Sequence, residues 1–373
     1  MNTKDIGEQI NFQTVMKSAK LGSADSMFLL GGFYFEGHGT KQNMDLAKKW
    51  WRKAAKAGNM YAQYNTALMY LNGDGVKKSV EKAAEWYLKA AEQGHVIAQN
   101  ELGYAYQNGL GVEENQEKAL EWYQKAAAQG MAIAEYNIGE MFENGVGVEK
   151  NLEEAFSWYR RSAEHGFDRA QCQVGFMYNK GLGVEKDEEE AVNWTIRAVN
   201  QGFPAAINNL ASEYEYGGVL KQDYQRAFEL YLQVAEQGLA SAQRNLGKMY
   251  YAGKGVEQDY QKSFEWYLKA AEQGDCLGQR LIGYMYLHGK GTEQDYEKAM
   301  FWCKKAAAQN DAQSCWRVAI MYLNGHGVEA DEKTGEEWCK KAADLGDEKA
   351  KKYLEEKAAE EAAAAKDSLT QEQ

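Results

Sequence analysis

Proline is almost missing from this 373-residue chain; Pro204 stands alone among 37 glycines. That imbalance excludes a Pro/Gly-rich disordered linker and makes glycine a backbone device used repeatedly. No apolar stretch reaches 18 residues, so no membrane-spanning helix is predicted. The first residues hold no apolar run of signal-peptide length, and the expectation is a cytoplasmic protein. Positive charge is also short. A net charge of −12 disfavours general binding to nucleic acid, which requires a basic face, and adsorption to anionic lipid. The five cysteines (Cys172, Cys276, Cys303, Cys315 and Cys339) are odd in number and irregularly spaced, as reduced thiols would be.

What the chain has instead is a period. Gly37, Gly73, Gly109, Gly145, Gly181, Gly217, Gly253, Gly289 and Gly325 follow one another at intervals of 36. A second series runs Gly22, Gly58, Gly94, Gly130, Gly166, Gly202, Gly238, Gly274, Asn310 and Gly346. Two aromatic series keep the same step, Trp50 to Trp338 (broken only by Leu230) and Tyr34 to Tyr322. Gly and Asn best tolerate the left-handed conformation beyond a helix C-terminus, so the second series predicts a helix end in every repeat. After each Gly-x-Gly turn comes a preferred N-cap residue, such as Asn43, Ser79, Asn115 or Asp223, often with an acid two residues on (Asp45, Glu81, Glu117). Each unit reads as helix A, glycine turn, helix B and glycine cap. Small residues recur where the helices must touch: Ala62, Ala98, Ala134 and Ala170 in helix A, Ala55, Ala91, Ala127 and Ala163 in helix B. The aromatic series recur in every unit and so predict core rather than a site. The expected layout is an N-terminal capping helix in 1–22, nine repeats in 23–346, and a capping helix with a fraying tail in 347–373.

The stretch from Gly94 to Gly130 shows the pattern whole: Ala98-Gln99, Leu102-Gly103, Tyr106, Gly109-Leu110-Gly111-Val112, Trp122-Tyr123 and Lys125-Ala126-Ala127. It resembles the Sel1-like repeat. The resemblance covers about residues 23–346. It implies an all-α, right-handed α/α superhelical solenoid related to tetratricopeptide repeats, and an adaptor, scaffold or regulatory role of a kind abundant in bacteria. A cysteine-rich secreted branch of that family carries paired cysteines and is associated with penicillin binding. This chain lacks the pairing, so that association is not carried over.

Chemistry of other kinds is scarce. The Gly-x-Gly turns have no Gly-Lys-Ser/Thr and no preceding strand, so they read as structural turns rather than phosphate cradles. None of the five histidines forms a His-x-x-x-His pair and no Cys-x-x-Cys occurs, so no metal site, cofactor or catalytic residue is assigned. Cys303 and Cys339 take the Tyr position after the Trp, a core-like site; a Cys303–Cys315 disulfide is the lesser alternative.

In a repeat array, function resides in positions that do not repeat. The tetratricopeptide resemblance implies that helix A lines the concave surface. One column there reads Phe28, Tyr64, Asn100, Tyr136, Cys172, Asn208, Arg244, Arg280, Trp316. A second reads Gly32, Leu68, Tyr104, Glu140, Phe176, Ser212, Lys248, Tyr284, Ile320. A third includes Asn65, Asn137, Asn209 and Asn245, suited to pairing with an extended peptide. Tyr64, Leu68, Tyr104, Tyr136 and Phe176 form an aromatic zone, and Arg244, Lys248 and Arg280 a basic one, with Tyr284 and Trp316 beyond it. These ten residues are the expected partner-binding set, for a protein segment with an acidic or C-terminal carboxylate near Arg244 and Arg280. The leading expectation is a non-enzymatic interaction scaffold. A dedicated inhibitor or immunity protein for one toxin or enzyme is the alternative, and a β-lactamase-like hydrolase the more distant one. Repeat 6 departs from pattern at Gly217-Gly218-Val219, Leu230 and Pro204, which suggests a local change in curvature.

Overall fold

A computed structural model describes residues 11–371 of the chain. Part of the expected N-terminal cap, residues 1–10, and residues 372–373 of the tail lie outside the described residues. Among the described residues there are twenty helices and no strand. Helix α1 is Phe12–Lys20. Nine A/B pairs follow: α2 Ala24–Glu36 with α3 Met44–Lys56, α4 Met60–Asn72 with α5 Val80–Glu92, α6 Val96–Asn108 with α7 Gln116–Ala127, α8 Ala132–Asn144 with α9 Leu152–Glu164, and α10 Asp168–Lys180 with α11 Glu188–Asn200. The series continues with α12 Pro204–Tyr216 and α13 Tyr224–Glu236, α14 Ala240–Ala252 and α15 Tyr260–Glu272, α16 Cys276–His288 and α17 Tyr296–Ala308, then α18 Ala312–Asn324 and α19 Glu332–Asp344. Helix α20, Glu348–Gln371, closes it. The chain forms two compact units that divide between Trp194 and Thr195.

The local chemistry explains these bounds. All nine predicted N-caps of helix B accept a hydrogen bond from a backbone N–H in the first turn, as Asn115 does from Lys118. The glycine after each helix B has a positive φ, and at the one Asn of that series, Asn310, φ is 63°. It is the only positive-φ residue other than Gly among the described residues. Gly111 carries a second constraint. A Cβ there would collide with the Val80 carbonyl at the start of helix B in the preceding repeat, so the turn is also a close inter-repeat contact.

Packing follows from the small and aromatic series. Ala62, Ala98, Ala134 and Ala170 are fully buried. A Cβ at Gly103 would come 2.7 Å from the Tyr123 ring, so this glycine is what admits the aromatic. Tyr123, Tyr159 and Tyr231 are among the largest fully buried side chains, deeper than the preceding Trp122 and Trp158; truncating one to Ala would cost roughly 3–5 kcal/mol. The tryptophans sit nearer the rim. A cation three residues on covers many of them, as Lys89 does Trp86 at 4.3 Å and Lys125 does Trp122 at 3.7 Å.

Repeat 6 has its own device. Gly217 takes φ 74° with ψ 166°, outside the left-handed helical region. The Glu213 carboxylate reaches into the altered turn and accepts from Val219 N at 3.0 Å. Pro204 sits in the first turn of α12, where its missing N–H costs nothing, and Leu230 is buried in the Trp position.

Candidate functional site

The ten expected contact residues divide between the units, five in each, and helix A positions all of them. They do not form one kind of surface. Four first-column side chains, Tyr64, Tyr136, Arg244 and Arg280, reach the N-cap residue of the next helix A, 31 positions on. In the first unit Tyr64 stacks on His95 with centroids 4.7 Å apart, and Tyr136 meets Phe167 edge-on at 5.3 Å. Tyr136 is buried and Tyr64 half-buried, so both serve inter-repeat packing. Second-column side chains are freer: Tyr104 is 49% and Phe176 42% exposed, while Leu68 is half-buried against the core.

Beside Tyr104 lies a cavity of about 110 Å³ between α4, α5 and α6, walled by Leu71, Ala83, Ala105 and Leu110. Tyr87 and Glu101 also line it. Tyr87 is 5% exposed and its hydroxyl has no hydrogen-bond partner. Its counterparts do: the Tyr123 hydroxyl donates to Gln107, Tyr159 to Glu143 and Tyr231 to Glu215. The position of those acceptors is Leu71 in this repeat. Burial pushes the carboxyls of Glu101 and Glu140 above the usual carboxylate range.

In the second unit the basic residues are already engaged. Arg244 Nε lies 3.2 Å from Asp275, and Arg280 Nη1 lies 3.0 Å from Asp311; both acids are helix N-caps. Lys248 donates to Glu215 at 2.7 Å and to the Tyr216 hydroxyl. Burial is the largest single influence and would lower the Lys248 ammonium, but the hydrogen bonds and charges of Glu215 and Tyr216 together outweigh it and hold it above its ordinary value. Tyr284 and Trp316 are half-buried beside a cavity of about 270 Å³ with His288, Arg317 and Lys349. Two of the asparagines are paired: Asn137 donates to Asn100 and Asn245 to Asn208, so there a peptide backbone would compete with an existing inter-repeat bond.

The column reading passed over Glu101 and Arg317, which stand where Asn65, Asn137, Asn209 and Asn245 stand in other repeats. That departure was the available signal. Arg317 donates to the Arg280 carbonyl at 3.0 Å and lies over the Tyr284 ring. Tyr87 gives no signal in its own register, since it is the common residue there; only the missing acceptor at Leu71 marks it.

None of the five cysteines forms a disulfide, so the alternative Cys303–Cys315 bridge is not present. Burial pushes the Cys303 and Cys339 thiols up to about 11, away from nucleophilic thiolate character. Among the described residues no group of three His, Cys, Asp or Glu side chains is placed to hold a metal ion, and no helix is long and apolar enough to cross a membrane.

The Sel1 repeat family matches nine consecutive segments, 24–59, 61–95, 96–131, 132–167, 168–203, 204–239, 240–275, 277–311 and 312–347. Among solved structures, the chain is similar to a protective antigen present in uropathogenic Escherichia coli strains displaying an SLR fold. The two share 31% identity at a TM-score of 0.67, over 92% of this chain and 81% of that one. It is also similar to a Sel1 repeat protein from Oxalobacter formigenes, with 33% identity at a TM-score of 0.61, over 65% of this chain and 96% of that one. No curated protein matches the chain.

Proposed function

We propose that this chain, which belongs to the Sel1 repeat family, is a non-enzymatic interaction scaffold that holds a protein segment on its helix-A face. The observation that carries the reading is the exposure of Tyr104 and Phe176, at 49% and 42%, the two exposed members of the expected contact set. Aromatic side chains half out of water on a rigid helix are the common anchors of protein interfaces. Beside Tyr104, the walled cavity with the unpartnered Tyr87 hydroxyl offers a socket for a partner side chain. In the second unit, an acidic or C-terminal group of the partner near Arg244 and Arg280 would share each guanidinium with Asp275 or Asp311, using the N–H donors left over.

The test is affinity capture with the wild type, a Tyr104→Ala/Phe176→Ala variant and an Arg244→Gln/Arg280→Gln variant. Glutamine avoids setting a new carboxylate against Asp275 and Asp311. Loss of a captured protein with the first variant supports docking on the aromatic zone, and loss with the second supports the carboxylate contact. A partner retained by both removes the helix-A face as the site. Capture of nothing overturns the scaffold reading. One tight partner, in place of several weaker ones, would favour the dedicated inhibitor.

A further inference from the structure

A second concentration of unusual residues lies away from that face, on helix B of the first repeat and the helices against it. Lys49, Arg52, Lys53 and Lys56 of α3 line a cleft of about 240 Å³. Their spacing of 3, 4 and 7 puts all four on one side of the helix. No acidic residue lines the cleft, and among the described residues no carboxylate forms an ion pair with any of the four. Tyr70 and Trp86 complete the walls, and Lys82 and Lys89 lie over their rings. Thr66 of α4 also lines the cleft. It is 1% exposed, and its hydroxyl has no partner.

Three of these residues, Lys49, Lys56 and Thr66, break the repeat, whereas Lys53, Tyr70 and Trp86 follow it. Lys49 stands where Glu85, Glu121, Glu229, Glu265 and Glu337 stand in other repeats. Lys56 stands where Glu92, Glu164, Glu236, Glu272 and Asp344 stand. Thr66 occupies a column that reads Leu30, Leu102, Ile138, Val174, Leu210, Leu246, Ile282 and Val318 elsewhere. Two charge reversals and one polar substitution converge on one cleft, in a chain whose net charge is −12. Fold stability does not ask for them. Like charges four apart on a helix repel, and a buried hydroxyl without a partner is unfavourable where eight other repeats place an aliphatic side chain. Attraction to the helix C-terminus accounts for cations in the last turn, Lys53 and Lys56, but not for Lys49 one turn earlier.

We infer that the α3–α4–α5 cleft is a binding site for a phosphoryl group. Four cations in one cleft require more than the single negative charge of a carboxylate, and a phosphomonoester brings nearly two together with three acceptor oxygens. Lysine and arginine supply charge-assisted donors. The Thr66 hydroxyl donates to a phosphoryl oxygen and thereby gains the partner it lacks. A free phosphate compound and a phosphorylated residue of a partner protein share this chemistry. The site is independent of the helix-A face.

The experiment is an NMR titration of the full chain at fixed ionic strength, reading the Thr66 methyl and the Trp86 indole N–H. The probes are inorganic phosphate, a glycine-flanked phosphoserine peptide and its glutamate counterpart. Saturable shifts are expected with phosphate and the phosphopeptide. Affinity should fall at least about ten-fold for the glutamate peptide and for the Lys49→Glu/Lys56→Glu variant. Thr66→Val should weaken phosphate about three-fold while raising the unfolding midpoint. These variants install residues that other repeats carry at the same positions, so loss of fold is not the expected result, and an unchanged amide spectrum checks it. A phosphopeptide bound much more tightly than inorganic phosphate indicates a protein-borne group; equal affinities indicate a free phosphate compound. Shifts that do not saturate, or that the double variant leaves unchanged, would overturn the assignment. Because this cleft lies off the helix-A face, a failed titration leaves the scaffold reading standing.

Discussion

Tyr87 and Tyr123 occupy the same register one repeat apart and differ by a single hydrogen bond. The Tyr123 hydroxyl donates to Gln107 at 2.8 Å, whereas Leu71 stands opposite Tyr87. Removing a satisfied buried hydroxyl costs about 1 kcal/mol; removing an orphaned one relieves a desolvation penalty of comparable size. Tyr123→Phe is therefore expected to lower stability by about 1 kcal/mol, and Tyr87→Phe to leave it unchanged or raise it by up to about 1 kcal/mol. Urea midpoints for the two variants check this, and equal losses would remove the distinction. The pairing of Tyr with Gln or Glu sixteen residues earlier, and of Cys303 with Leu287, was present in the sequence. It carried no meaning until the structure set the two positions against each other.

Helices in this chain are bounded by caps, and most caps were legible. The N-caps of helix A were less so, because they vary. Asn59, Asp275 and Asp311 accept a first-turn N–H, while Phe167, Phe203 and Leu239 form no side-chain cap bond. Phe167 packs on Tyr136 of the preceding repeat, so apolar contact replaces the hydrogen bond there. His95 is the sensitive case. Its Nδ1 accepts from Ala98 N at 3.1 Å, which requires that nitrogen to be unprotonated. Burial lowers the His95 pKa from its usual 6.5, so the cap's contribution is complete above 6.5 and is lost as pH falls through the depressed folded value. A cap is worth about 1 kcal/mol. Protection of the first-turn amides of α6 against exchange, relative to the intrinsic rate at each pH, is expected to fall below pH 6.5 in the wild type and not in His95→Asn. An acid response that survives the substitution would assign the effect to another group.

Across the molecule, each repeat is completed by its neighbour: the Gly111 turn lies on the Val80 carbonyl, and the Gln129 amide donates to the Gly94 carbonyl across the repeat junction. An extra copy of residues 96–131 placed after Met131 should therefore fold in register, with unchanged ellipticity per residue and a melting midpoint no lower than the parent's. An 18-residue insertion at that point would set a helix A against a helix A and should lower the midpoint sharply. Circular dichroism distinguishes the two. The helix pairs, their caps and their glycine turns were determined by sequence alone, because each is a local interaction repeated nine times, and repetition separates a rule from chance. The availability of side chains for binding was decided by tertiary structure. Arg244 and Arg280 read as a free basic pair in the sequence, but in the folded chain each faces an aspartate 31 residues on. Tyr104 and Phe176 stay about half exposed, with Tyr104 at the edge of a cavity shared with Leu71 and Tyr87 of the preceding repeat. Partnership between repeats depends on which residues the 36-residue step brings face to face, and that is a property of packing rather than of local order.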